Sequence, residues 1–145
     1  MDRRELMKSG LALSLAAAGT AMAQSTAHDH HAHGGSKYAA LVNASADCLH
    51  IGQVCLAHCF VVLGEGEKDM AACGASVSQM LAACDALMKL AASNSKYVPK
   101  MAALVLTMCE DCEKECRKHE NKHQECRDCA DACVACAKEC KKVAA

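Results

Sequence analysis

Apolar residues recur every three or four positions along most of the chain, which is the spacing of one face of an α-helix. In the clearest stretch, intervals of three and four alternate without a break, and the positions that follow this pattern are Met70, Cys73, Val77, Met80, Cys84, Leu87 and Ala91. No stretch shows the strict alternation of apolar and polar residues that is typical of a half-buried strand. The pattern therefore predicts an all-α protein.

Breaks in this pattern divide residues 37–145 into four predicted helices, at about 37–63, 67–92, 99–119 and 126–143. Ser36 suits the cap position before the first helix, and Pro99 suits the first turn of the third. The stretch GEGE and the stretch Ser93-Asn94-Ser95 interrupt the helical pattern. Because short connections favour antiparallel neighbours, we expect an up-and-down four-helix bundle.

Cysteine occupies most of the positions where such a bundle normally places large hydrophobes. The 145 residues include 13 cysteines but only 2% aromatic residues, so the usual core of Leu, Ile, Val and Phe is thin. The stretch CRDCADACVACAKEC, residues 126–140, spaces five cysteines along one helical stripe. The candidate metal ligands among the thiols are Cys48, Cys55, Cys59, Cys73, Cys84, Cys109, Cys112, Cys116, Cys126, Cys129, Cys133, Cys136 and Cys140.

The segment before the bundle has the composition of an export signal and a linker. Residues 1–23 combine Arg3-Arg4, a short apolar run and a small-residue cleavage pattern, and they are similar to a twin-arginine signal, although an ordinary export signal is the alternative. Residues 24–36 are rich in histidine and end in Gly-Gly-Ser, which predicts a flexible linker. We therefore expect a periplasmic or otherwise exported mature protein without a membrane span, in a compartment where disulfides are permitted.

Disulfide bonds are the first use to consider for so many exported thiols. Cysteines three or four residues apart on a helix have Cβ atoms about 5–6 Å apart, whereas a disulfide requires about 3.5–4.5 Å. Bonds would have to run between helices, and the odd number of thiols leaves one over. A disulfide-stapled extracellular interaction module remains an alternative.

Zinc or an iron–sulfur cluster is the second possibility, because three pairs of cysteines match C-x-x-C. Such sites usually place their ligand pairs on loops, so that four sulfurs converge on one ion. Here neither Gly nor Pro separates the pairs. Each zinc ion with four thiolates would also leave about two uncompensated negative charges in the core.

Cu(I) avoids both difficulties. Thiolates select Cu(I), and one monovalent ion per thiolate leaves the core near neutrality. A pair of cysteines one turn apart, such as Cys129 and Cys133, can offer two-coordinate ligation without any loop. The thiols then limit the capacity to on the order of ten or more ions.

Several stretches resemble the exported copper storage proteins of bacteria, which are best known from methane oxidisers: CLAHCF, MAAC, LAACDALMKLAASNS, VCLAHC and ECRDCADACVACAKECKKVAA. The resemblance covers nearly the whole mature chain. It implies a homotetramer of four-helix bundles that bind many Cu(I) ions through their inner cysteines and supply copper to cuproenzymes such as a methane-oxidising enzyme. Copper or heavy-metal detoxification is an alternative use of the same binding.

Copper uptake is expected at one end of the bundle. In an up-and-down arrangement, hydrophobes plug one end, namely Leu41, Val42, Leu87, Leu90, Leu104, Val105 and Leu106. The opposite end, which we call the mouth, gathers Cys59, Cys73, Cys116, Cys126, His58, Met70, His119 and His123. The resemblance implies that His58 and Met70 are metal ligands there, although Val62 and Glu65 stand where relatives often carry further methionines. Core packing is the alternative for Met70, and it is the expectation for Met80, Met88, Met101 and Met108.

Other functional classes find little support in the sequence. The net charge of -1 offers no field for nucleic acid or an anionic membrane. No pattern of catalytic residues stands out, and the C-x-x-C pairs lack the strand-linked helix start of a thiol oxidoreductase. We therefore expect a copper-binding protein rather than an enzyme.

Overall fold

Four α-helices joined by short turns make up residues 35–145, the part of the chain that the computed structural model describes. They are α1 (Ala39–Gly64), α2 (Met70–Ala92), α3 (Val98–Arg117) and α4 (Gln124–Lys141). No strand occurs in this part of the chain, so the all-α prediction is confirmed. The predicted export signal and all but the last two residues of the predicted linker lie outside the described residues.

The helices form a square, antiparallel arrangement. Within residues 35–145, the backbones of α1 and α3 each lie beside those of α2 and α4, while the two diagonal pairs meet only through side chains in the interior. Along α1 and α4, Cys55 faces Cys126 and Cys48 faces Cys133. One residue number falls as the other rises, so these helices run in opposite directions. The up-and-down four-helix bundle is confirmed.

Each helix buries one stripe of residues spaced three or four apart. All seven positions predicted for α2 are buried, and in α4 the stripe consists of cysteines. None of the thirteen cysteine side chains is exposed to solvent. Val77, Leu87 and Val105 are also fully buried, so hydrophobes complete the interior that sulfur does not fill.

The plugged end differs from the prediction at one residue. Leu41, Leu87 and Val105 are buried there, but Leu104 is 53% exposed. The stripe of α3 runs through Ala102 and Val105. Because consecutive helical residues differ by about 100° in direction, Leu104 points away from the interior, and its assignment to the plug is wrong.

Ser36 does not cap α1 as predicted, because the helix begins at Ala39 after Tyr38. Instead, the Ser36 hydroxyl donates to the backbone oxygen of Ala91 at 2.6 Å. The backbone N–H of Lys37 donates to Oδ1 of Asn94 at 3.0 Å. These bonds join the start of α1 to the end of α2 and help to close the plugged end. The other helix boundaries lie within about three residues of those predicted.

Two helices, α1 and α2, are long and apolar enough to cross a membrane when judged by length and composition alone. This is weak evidence for a span, since a core helix of a soluble bundle meets the same criterion. Both helices bury their stripes against neighbouring helices here. The absence of a membrane span in the mature protein stays a prediction.

We expect the reduced, metal-free protein to keep its helical content, because the stripes pack together without a metal ion. Circular dichroism before and after removal of copper by a strong chelator measures this directly. Loss of helicity on chelation, as zinc fingers show, would contradict the prediction and would make the metal a structural element.

Candidate metal centre

The four helices each contribute one cysteine to a thiol group near the plugged end. The sulfur atoms of Cys48, Cys84, Cys109 and Cys136 all lie within 4.8 Å of one another. Each of these cysteines lies on the buried stripe of its helix, and the four positions fall at the same height along the bundle, so the sulfur atoms meet in the interior. We call these four residues the lower thiol group.

Further thiol groups continue from this level towards the mouth. Cys48 Sγ lies 4.0 Å from Cys133 Sγ, which belongs to a second group with Cys112 and Cys129. Cys129 also belongs to a third group, with Cys55 and Cys116. Shared members therefore connect the lower group to the middle of the bundle.

The last thiol group lies at the mouth and contains Cys55, Cys59 and Cys73. Cys126 Sγ is 4.0 Å from Cys55 Sγ, and Cys73 Sγ is 3.5 Å from Cys116 Sγ. The remaining cysteine, Cys140, lies one turn beyond Cys136 on α4. Together the thirteen cysteines form a continuous line of sulfur atoms along the interior, which we call the thiol track.

The cysteines of the thiol track are free. The sulfur atoms of Cys73 and Cys116 lie 3.5 Å apart, at hydrogen-bonding distance, and do not form a disulfide bond. The structure thus places the thiols close enough to share a soft metal ion while leaving every sulfur available as a ligand.

Hydrogen bonds among the thiols favour ionisation at particular positions in the lower thiol group. Hydrogen bonding with Cys109 lowers the pKa of Cys48 to about 5 and also lowers the pKa of Cys136. Hydrogen bonding with Cys109 and Cys136 raises the pKa of Cys84 above its usual value. The protonated members therefore stabilise thiolates at their neighbours, and thiolate is the form that binds metal.

Two histidines lie in contact at the mouth. His58 Nε2 is 2.8 Å from His123 Nδ1, and the rings are tilted by 57°. His58 comes from α1, whereas His123 precedes α4 and is 7% exposed. The sequence predicts that both lie at this end, and the structure brings their ring nitrogens together.

An ion pair between two turns covers the mouth. Lys122 Nζ lies 2.6 Å from Glu67 Oε1, and Glu67 Oε2 lies 3.2 Å from His123 Nε2. The hydrogen bond from Lys122 lowers the pKa of Glu67, with a smaller contribution from His123. His58 is also 3.6 Å from Glu125. Charged and imidazole groups therefore separate the outermost thiols from solvent.

Two further candidate residues, Met70 and His119, belong to this end of the bundle. Met70 is the first residue of α2 and is completely buried. His119 lies in the turn between α3 and α4, is half-buried, and accepts the backbone N–H of His123 on its carbonyl oxygen at 2.9 Å. His119 therefore contributes to the shape of the turn through its backbone.

The sequence profile of a family described as copper storage proteins matches residues 34–145, which include the whole thiol track. The chain belongs to the copper storage protein family. The expected family membership is therefore confirmed.

Solved structures of copper storage proteins share the fold. The Cu(I)-bound copper storage protein BsCsp3 is 30% identical, with a TM-score of 0.67 over 75% of this chain and 100% of that chain. Apo copper storage protein 3 from Bacillus subtilis is 29% identical, with a TM-score of 0.64 over 73% of this chain and 97% of that chain. A cysteine-rich Bacillus subtilis protein, YhjQ, is 30% identical over 107 residues, which cover 73% of this chain and 94% of that protein.

Three residues of the centre, Ser45, Glu67 and Lys122, are not predicted from the sequence. Ser45 is a fully buried polar residue with its hydroxyl 3.9 Å from Cys136 Sγ. Its place on the stripe of α1, between Leu41 and Cys48, could have identified it. The bond between Glu67 and Lys122 joins two turns whose fold cannot be derived from helical spacing.

Because no cysteine side chain is exposed, we expect few or none of the thiols to react rapidly with a thiol reagent in the native, metal-free protein. All 13 should react after unfolding in denaturant. Protein purified under reducing conditions and then freed of reductant is suitable for both counts. Fast reaction of several thiols in the native protein would contradict the observed burial, and a shortfall in denaturant would show that disulfides form.

Proposed function

We propose that this protein stores Cu(I) on the thiolates inside its bundle and supplies it to copper-requiring enzymes. The observation that carries the proposal is the thiol track, in which thirteen buried sulfur atoms follow one another from the mouth to the plugged end. Family membership and the Cu(I)-bound relative support the same metal.

The charges inside the bundle favour a monovalent ion. Within residues 35–145, the buried polar or charged residues are Ser45 and His123, and only His123 could carry a positive charge. No lysine or arginine is therefore available to neutralise ionised thiols along the track. One Cu(I) ion for each thiolate gives a neutral core, whereas zinc with four thiolates would bury excess negative charge at every site.

The same burial weighs against a thiol redox enzyme. A redox-active cysteine must reach its substrate and therefore lies in a partly exposed site. Here every thiol is enclosed. A small metal ion that passes from ligand to ligand can reach these sulfur atoms, whereas the disulfide bond of a substrate protein cannot.

Copper would be captured at the mouth. The neutral imidazole of His58 and the thioether of Met70 bind Cu(I) without adding negative charge, and they hold it less firmly than thiolates do. His123 lies in direct contact with His58, so it can assist in the same capture. An ion bound at this end is then adjacent to Cys59 and Cys73, where the thiol track begins.

The setting proposed for this activity is outside the cytoplasm, since residues 1–23 have the composition of an export signal. We also propose a homotetramer with copper delivery to a cuproenzyme, such as a methane-oxidising enzyme, as the family resemblance implies. Exposed apolar side chains on α1, at Val54, Phe60 and Val61, offer a surface for contact between copies.

Replacement of both Cys129 and Cys133 by Ser should lower the copper capacity by roughly two ions, on the basis of one ion for each thiolate. Titration of the reduced protein with Cu(I) in the presence of a competing chelator gives this count. Ala135→Ser, an exposed position on the same helix, is the matched control and should keep the full capacity. An unchanged capacity in the double cysteine variant would exclude these thiolates as storage ligands.

The combination of His58→Ala with Met70→Leu should slow the loading and removal of copper but leave the capacity almost unchanged, because the thiol track stays intact. Stopped-flow transfer of Cu(I) to a chelator measures the rate, and His50→Ala with Met88→Leu is a control away from the mouth. Exchange at the wild-type rate would mean that copper enters elsewhere or that the two residues only pack.

A further inference from the structure

A thioether lies within the lower thiol group. Met80 Sδ is 3.3 Å from Cys48 Sγ and 3.6 Å from Cys84 Sγ. The Met80 side chain is completely buried. The sequence predicts only that Met80 packs in the core, but the structure places its sulfur directly beside two thiols.

These separations suit three donors around one metal ion. If metal–sulfur bonds are about 2.3 Å long, as for zinc, two sulfur atoms on one ion are at most about 4.6 Å apart and are about 4.0 Å apart in a trigonal site. Met80 Sδ meets this limit with both Cys48 and Cys84. The sulfur atoms of Cys48 and Cys84 are within 4.8 Å of each other, which is at most about 0.2 Å beyond this limit.

The neutrality of the thioether gives this position a chemical advantage. Three thiolates around one Cu(I) ion leave a charge of about -2, whereas two thiolates and a thioether leave about -1. Because buried charge without a partner is costly, a neutral third donor is favourable in a core that has no cation nearby. A leucine would fill the same space but could not supply a donor.

Gly52 makes room for this arrangement. It occupies a buried stripe position in the middle of α1, between Cys48 and Cys55, where glycine costs about 0.5–1 kcal/mol relative to alanine. A Cβ atom at Gly52 would lie 2.8 Å from the terminal methyl carbon of Met80 and 2.9 Å from a methyl carbon of Leu81. Any larger residue at position 52 would therefore displace the methionine side chain.

We propose that Met80 is a copper ligand of the lower thiol group, where its thioether joins the thiolates of Cys48 and Cys84 on one Cu(I) ion. Gly52 is the positioning residue that leaves space for the methionine methyl group. The inference rests on the proposed storage of Cu(I). It adds to the thiolates a specific neutral donor deep in the bundle, far from the capture site at the mouth.

NMR spectroscopy of the silver-loaded protein tests the proposed bond between Met80 Sδ and the metal directly. Ag(I) is a soft, monovalent stand-in for Cu(I), and its nuclear spin couples to protons of the groups that bind it. In reduced protein loaded with Ag(I), we expect the methyl protons of Met80 to show scalar coupling to silver, with Met80→Leu identifying the signal. Met88, a half-buried residue two turns along the same helix, should show none.

A competition experiment with a Cu(I) chelator measures how much the bond between Met80 and copper contributes to the retention of Cu(I) by the protein. At a chelator concentration that leaves the wild-type protein full, Met80→Leu should hold about one ion fewer, because one site loses its third donor. Met88→Leu should hold the wild-type number. Absence of silver coupling at Met80, or full retention of copper by Met80→Leu, would overturn the proposal.

Gly52→Ala tests the positioning role. The variant should lose the coupling between Met80 and silver while it keeps its helical content and its 13 reactive thiols in denaturant. Gly74→Ala is the control, because a Cβ atom there meets its nearest neighbour at an ordinary 3.5 Å. Coupling that persists in Gly52→Ala would refute the role of Gly52. Failure of the wild-type protein to take up either metal would instead refute the proposed storage function itself.

Discussion

The burial of many ionisable sulfur atoms without a neutralising group is the constraint on which this structure depends. The thirteen cysteines occupy stripe positions where a bundle usually carries large hydrophobes. A thiol in these positions packs as a small apolar side chain, so the bundle can close around them. Once ionised, however, the sulfur atoms carry negative charge that thiol hydrogen bonds do not neutralise, and no lysine or arginine is buried in residues 35–145. A soft monovalent cation neutralises this charge with the least excess.

This constraint also explains the different chemistry of the two ends. The plugged end is closed by apolar side chains and by the bonds of Ser36 and Asn94, so an ion has little to bind there. The mouth carries His58, His123 and the ion pair of Glu67 with Lys122, which offer neutral and charged groups beside the outermost thiols. Between the ends, Met80 adds a sulfur donor without adding charge. Donor strength and charge thus vary along the bundle, while its helical frame stays regular.

Much of the fold could be predicted from the sequence, because helical stripes are a local property. The spacing of Cys73, Val77 and Cys84 specifies which face of α2 is buried without any knowledge of its neighbours. The register between neighbouring helices cannot be predicted in this way, because a single sequence does not specify it. The contact of Met80 with Cys48, the space opposite Gly52 and the bond between Glu67 and Lys122 all depend on that register or on the fold of the turns. Leu104 shows a related limit, because one position along a helix decides between a buried and an exposed side chain.

The position of copper inside the bundle tests the central claim most directly. Crystals of the reduced, Cu(I)-loaded protein should give anomalous difference peaks at the copper absorption edge, arranged in a row along the interior from Cys59 and Cys73 to the lower thiol group. Each peak should lie within about 2.3 Å of a sulfur atom, if the bond length known for zinc and sulfur applies. Peaks confined to surface histidines and carboxylates, with the inner cysteines free of metal or joined in disulfides, would contradict the storage of Cu(I) on the thiol track.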